Sequence, residues 1–99
     1  MPCCAPEPVR PLFALGRILA TPGALAALER FEIDTVALLL RHQRGDWGDV
    51  PPEDRKENDL SVKNGFRILS SYGIGEGTRI WIITEADRGV TTLLLPEEY

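Results

Sequence analysis

Two adjacent cysteines and a single histidine are all that this 99-residue chain offers to thiol or imidazole chemistry. Cys3 and Cys4 sit side by side in a proline-rich stretch. Adjacent cysteines do not close an ordinary structural disulfide, and no second pair is there to complete a zinc site. They read as free thiols in a reducing cytoplasm. No apolar run approaches the ~18 residues of a membrane span. The first apolar stretch, broken by Arg17 and Pro22, reads poorly as a signal peptide. Positive charge is short as well. Eleven Lys and Arg stand against fifteen Asp and Glu, for a net charge of −4 and a pI near 4.9. Tight binding to a phosphate backbone needs clustered basic residues, so the composition argues against direct nucleic-acid binding. A phosphate-cradling loop is missing too, since Gly73, Gly75 and Gly77 fall between predicted strands. There is no Gly-x-Ser-x-Gly elbow and no readable cysteine–histidine nucleophile, and no cofactor is expected.

What is present suits one soluble globular domain. A hydrophobic fraction of 43% with 26% charged residues excludes wholesale disorder, and the length supports a modest core. Residues 1–11, with Pro2, Pro6, Pro8 and Pro11, read as a flexible tail, and residues 12–99 as the domain. Residues 12–20 make a weak strand. Thr21-Pro22 then opens a helix to about Arg30, a hydroxyl cap followed by proline at the first turn, with Leu25 and Leu28 on its buried stripe. Asp34 caps a second helix whose core stripe is read as Val36, Leu39 and Leu40, stopped at Gly45. Pro51-Pro52 opens a third, about residues 53–64, stopped by Gly65. Its only good apolar residues are Leu60 and Val62, so either it lies loosely on the surface or its Asp54-Asn58-Ser61 face meets something polar. Strands follow at 66–72, 79–85 and 90–95, joined by glycine-bearing turns, with 79–85 in the middle of a meander. The expected architecture is α+β: an N-terminal strand and two to three short helices packed on one face of a C-terminal three- to four-stranded antiparallel sheet.

The densest chemistry lies at residues 42–50. His42, near the last turn of the second helix, is the one side chain that titrates near neutrality, and a helix C-terminus favours its protonated form. Asp46 and Asp49 are placed to orient it, and Trp47 to stack on a ring or a partner side chain. The same residues also read plainly, with Trp47 plugging the core and the aspartates capping the loop. His42, Asp46 and Asp49 match no metal-ligand spacing, and no metal is expected. Acid gathers around them: residues 45–65 hold Asp46, Asp49, Glu53, Asp54, Glu57 and Asp59 against Arg55, Lys56 and Lys63. This is either a solvated helix face or a surface for a basic partner. In the last hairpin, Thr84, Asp87, Arg88 and Thr92 bring hydroxyl, carboxylate and guanidinium to one turn, with Thr84 and Thr92 expected near each other. Ordinary strand and turn propensity accounts for them equally.

The segments His42-Gln43-Arg44-Gly45-Asp46-Trp47-Gly48, Arg67-Ile68-Leu69-Ser70-Ser71-Tyr72 and Ile80-Trp81-Ile82-Ile83-Thr84-Glu85-Ala86-Asp87-Arg88, with Thr91-Thr92 and Pro96-Glu97-Glu98-Tyr99, resemble a family of small bacterial "plasmid-related" proteins. Some are labelled as a type I restriction methylase subunit. That label does not fit a chain this short with no cofactor-binding glycine motif, and the family brings no activity with it. A looser similarity is to the barnase/RelE-type nuclease-like fold, in which a helix-end histidine faces a sheet bearing Arg and Thr.

Two functional expectations follow. The first is a mobile-element accessory protein that binds a host protein, for instance a nucleic-acid-binding CRISPR or restriction component. Its acidic and aromatic surface would comprise Asp46, Trp47, Asp49, Asp54, Glu57 and Asp87. The second is a metal-independent ribonuclease or toxin, with His42 as general acid or base and Arg88 and Thr92 at the scissile phosphate. An exposed sheet edge that makes a homodimer is compatible with either.

Overall fold

In the computed structural model, which describes residues 11–99, one four-stranded sheet carries the fold. Strand β1 is Arg17–Ala20. Helices α1 (Pro22–Arg30), α2 (Thr35–Gln43) and α3 (Pro52–Asn64) follow, then β2 (Ile68–Gly75), β3 (Thr78–Thr84), β4 (Val90–Leu94) and a 3₁₀ turn, Pro96–Glu98. The architecture is α+β. The sheet order is β1-β4-β3-β2. The last three strands form the expected antiparallel meander, but β1 joins β4 in parallel, so the sheet is mixed. The tail reading at residues 1–10, with Cys3 and Cys4, lies outside the described residues.

Local chemistry sets the boundaries. Thr21 Oγ1 accepts from Ala24 N at 3.0 Å, Asp34 accepts from Val36 and Ala37 N, and Gly65 ends α3 in the left-handed conformation. Glu76 and Gly77, both at positive φ, make the two-residue turn between β2 and β3. Residues 12–16 are not strand. They cross the end of α2, where Leu12 N donates to Gln43 O at 2.7 Å and Gln43 Nε2 donates to Phe13 O at 3.0 Å.

One sheet face presents Ile68, Ser70, Tyr72, Ile80, Ile82, Thr84, Thr91 and Leu93, and α1 and α2 cover it. Two helical stripes differ from expectation. Helix α1 buries Ala24 and Leu28 and leaves Leu25 exposed; the small Ala24 lets the helix approach the sheet closely. Helix α2 buries Leu38, Leu39 and His42, while Val36 and Leu40 face outward. Its stripe is rotated because His42, rather than a leucine, seats the last turn on the strands. A second cluster of Phe13, Trp47, Val50 and Ile68 closes one end of the domain. Helix α3 lies against edge strand β2, and none of the described helices is long and apolar enough to cross a membrane.

Candidate functional site

The residues gathered at 42–50 turn inward. His42 is fully buried, its ring edge-on to Phe13 at 5.1 Å and to Trp47 at 5.9 Å between centroids. Its two partners are hydroxyls from β2 and β3, and a third from β4 extends the chain. Nδ1 lies 2.5 Å from Ser70 Oγ and Nε2 lies 2.9 Å from Thr84 Oγ1. Thr84 Oγ1 lies 2.8 Å from Thr91 Oγ1, which donates to the Leu15 carbonyl at 2.7 Å. A carbonyl only accepts, and that fixes the direction of the whole chain. The Thr91 proton goes to Leu15 O, so the Thr84 proton goes to Thr91, and His42 donates from Nε2 to Thr84. The chain thus requires a proton on Nε2, and in the neutral imidazole Nδ1 accepts from Ser70. Burial, then the nearby Arg88 charge, pushes the His42 pKa down to about 3. The helix-end prediction of a protonated imidazole is overturned, because desolvation outweighs the helix dipole.

The companions of His42 are equally occupied. Trp47 is buried, not displayed: its indole stacks with Phe13 at 6.2 Å and donates to Asp59 Oδ1 at 3.1 Å. Asp46 pairs with Arg41 at 2.7 Å and accepts from Gly48 N, and the Arg41 hydrogen bond holds its carboxyl below the usual range. Tyr72 donates to the Asp46 carbonyl, and burial pushes its hydroxyl up to about 12. Gly48, at φ +74°, pairs with Ser71 so closely that a Cβ would run into the Ser71 carbonyl.

The three residues proposed for phosphate chemistry do not share a cleft. Arg88 donates through Nη1 to Phe66 O at 2.7 Å and Glu85 O at 3.1 Å, and through Nη2 to Ser61 O at 2.7 Å. Its guanidinium lies over the Phe13 ring and clamps the last turn to the end of α3. Thr84 pairs with Thr91, not Thr92. Thr92 pairs with Ile83 and Leu19, on the opposite sheet face from His42. Asp87 accepts from Gly89 N at 2.8 Å in the β3–β4 turn. Among the described residues no group of three metal-ligating side chains converges.

An open site lies elsewhere, between α3 and the other sheet face. Three adjoining cavities of about 240, 210 and 470 Å³ run along the helix. Asp49, Val50, Arg79 and Trp81 line the first, Asp54, Glu57 and Leu69 the second, Leu60 and Phe66 the third, and Arg67 borders both the second and the third. Leu60 is 55% exposed and Phe66 59%. Asp49 is paired with Arg79 at 3.0 Å. Among the described residues no hydrogen bond or ion pair engages the carboxylates of Asp54 or Glu57. Of the acidic and aromatic candidates, then, Asp49, Asp54 and Glu57 come together, whereas Asp46, Trp47 and Asp87 stand apart from them. Sequence reasoning missed Trp81, Leu69, Phe66 and Arg67. For Arg67, Leu69 and Trp81 the alternation Arg67-Leu69-Ser71 and Arg79-Trp81-Ile83 carried the signal: both triplets share the face opposite Ile68, Ser70 and Tyr72; no such signal marked Phe66. Comparison with known protein families, with curated proteins and with solved structures finds no match.

Proposed function

We propose that this protein works by binding another protein, taking a basic and apolar segment of that partner into the groove along α3. The observation that carries this reading is the pair of unengaged carboxylates, Asp54 and Glu57, standing over an apolar floor that includes Leu69 and half-buried Trp81. Such a groove gives orientation through charge and affinity through apolar contact. Aromatic residues in a partly dry concavity are the usual anchors of an interface. The acidic and aromatic surface expected at Trp47 is thus rebuilt around Trp81. A host defence protein with a basic nucleic-acid site is the partner class this chemistry fits, in line with the resemblance to plasmid-related proteins, and binding would cover that site.

The test is calorimetric titration with a synthetic peptide of alternating arginine and leucine. The wild type is expected to bind with an affinity that falls as salt rises. Asp54→Lys with Glu57→Lys, and separately Trp81→Ala, are each expected to weaken it at least ~10-fold, about 1.4 kcal/mol. Asp87→Lys, outside the groove, leaves it unchanged. No binding by the wild type, or equal binding by the groove variants, would overturn the reading.

A further inference from the structure

The two edges of the sheet are finished differently. At β2 the outward backbone groups of Leu69 and Ser71 are occupied. Asn58 donates from Nδ2 to Leu69 O at 2.8 Å and accepts from Leu69 N at 3.2 Å, standing in for a fifth strand. One step along, Ser71 N donates to Trp47 O at 3.1 Å and Asp49 N donates to Ser71 O at 2.7 Å. The middle of that edge is closed to another chain. At β1 the parallel ladder uses the odd-numbered residues, with Arg17 N donating to Gly89 O at 2.9 Å and Thr21 N to Leu93 O at 3.0 Å. The N–H and C=O groups of Ile18 and Ala20 therefore point away from the sheet, and among the described residues none pairs with them. The side chains on this edge are apolar: Ile18 is 48% exposed and Leu19 47%.

We propose that β1 pairs antiparallel with β1 of a second copy of this chain, about a twofold axis at Leu19, making one continuous eight-stranded sheet. Hydrogen-bonding parity requires even-numbered residues to oppose even-numbered ones, and centring the axis on Leu19 is the register that pairs Ile18 and Ala20 of both copies. Outward-facing Ile18 exchanges both backbone bonds with Ala20 of the second copy, and Ala20 with its Ile18. Leu19 meets its own equivalent in the close, non-hydrogen-bonded position between them. Opposed residues then point to the same sheet face, as a twofold perpendicular to the sheet demands.

Charge favours a second copy over an unrelated strand. In this register Arg17 lies opposite Thr21 of the other molecule. Thr21 Oγ1 donates to Glu98 Oε1 at 2.6 Å, so a carboxylate is already held at that position. Arg17 is exposed, and no described residue pairs with its guanidinium. The twofold thus brings two Arg17–Glu98 pairs to the ends of an apolar centre, and the closed antiparallel arrangement leaves no edge for further growth.

Sedimentation velocity on the full chain tests this. The wild type is expected to sediment at twice its 11.0 kDa chain mass. Leu19→Lys and Leu19→Glu are each expected to be monomers, because identical charges then face each other across the axis. Both should fold, since the Leu19 side chain is half-exposed, and circular dichroism verifies it. An equimolar mixture of the two variants is expected to restore the dimer, as lysine then meets glutamate. Protection of the Ile18 and Ala20 amides from hydrogen exchange should be lost in either variant alone. A monomeric wild type at high micromolar concentration, a dimer that survives either substitution, or a mixture that stays monomeric would each overturn the proposal.

Discussion

His42 shows how far the chemistry of a residue depends on partners that local sequence cannot name. Its helix-end position was legible, and so was the cluster it belongs to. Its role was not, because Ser70 and Thr84 lie 28 and 42 positions away and only strand pairing delivers them. Of the two hydroxyls that suggested a reactive hairpin, Thr84 is consumed in holding the imidazole and Thr92 faces the other side of the sheet. A pH dependence follows. The folded pKa of about 3 lies below the unfolded value near 6.5. As pH falls through ~6.5 the unfolded chain takes up a proton that the folded one refuses, so stability declines with falling pH, down toward ~3. The full window is worth on the order of 4–5 kcal/mol, a large share of the roughly 5–15 kcal/mol of a whole domain. Urea midpoints measured between pH 7 and 4 should therefore drop for the wild type. For His42→Gln, whose starting stability is lower, they should stay nearly level over the same range. Parallel curves for the two proteins would show that His42 titrates freely when folded.

At the scale of elements, sequence reading succeeded where a helix or strand declares itself by its own ends. Thr21-Pro22, Asp34 and Gly65 marked the helix boundaries because each acts on its own backbone; the glycines at 73 and 75, read as part of the connection, instead extend β2 to Gly75. It failed where one element defines another. The parallel pairing of β1 depends on β4, some 70 positions later, and no hairpin signal encodes it. Helix α3 looked too polar to anchor. Its anchor is polar: Asn58 and Ser61 are buried, and the Asn58 carboxamide completes the edge of β2. Of the two alternatives for this helix, the polar face that meets something is the one the structure contains, and what it meets is backbone. Asn58→Ala leaves the Leu69 N–H and C=O without partners in a part-buried setting. A loss of about 2–6 kcal/mol is expected, at ~1–3 kcal/mol for each orphaned group. Urea denaturation reads it directly. A loss under ~0.5 kcal/mol would mean that α3 is held by something other than this pair.

For the whole molecule, the division is between an inside that consumes the costly side chains and an outside that offers plainer ones. His42, Trp47, Asp46 and Arg88 brace the end of the domain where α2, the 44–50 loop and the last hairpin meet. The groove along α3 and the β1 edge are set on that braced body. They involve opposite edges of one sheet, so a dimer through β1 leaves both grooves open. The two tryptophans report the division separately, one indole buried against Asp59 and the other in the groove. The most direct measurement is a ¹⁵N–¹H NMR titration of the wild type with the arginine–leucine peptide, following the two indole signals. The Trp81 signal, with the Asn58 side-chain amide and the Leu69 backbone amide, is expected to shift as peptide is added, while the Trp47 indole holds its position. A Trp47 indole that moves while Trp81 stays fixed would place the binding surface back at the 42–50 cluster and contradict the account.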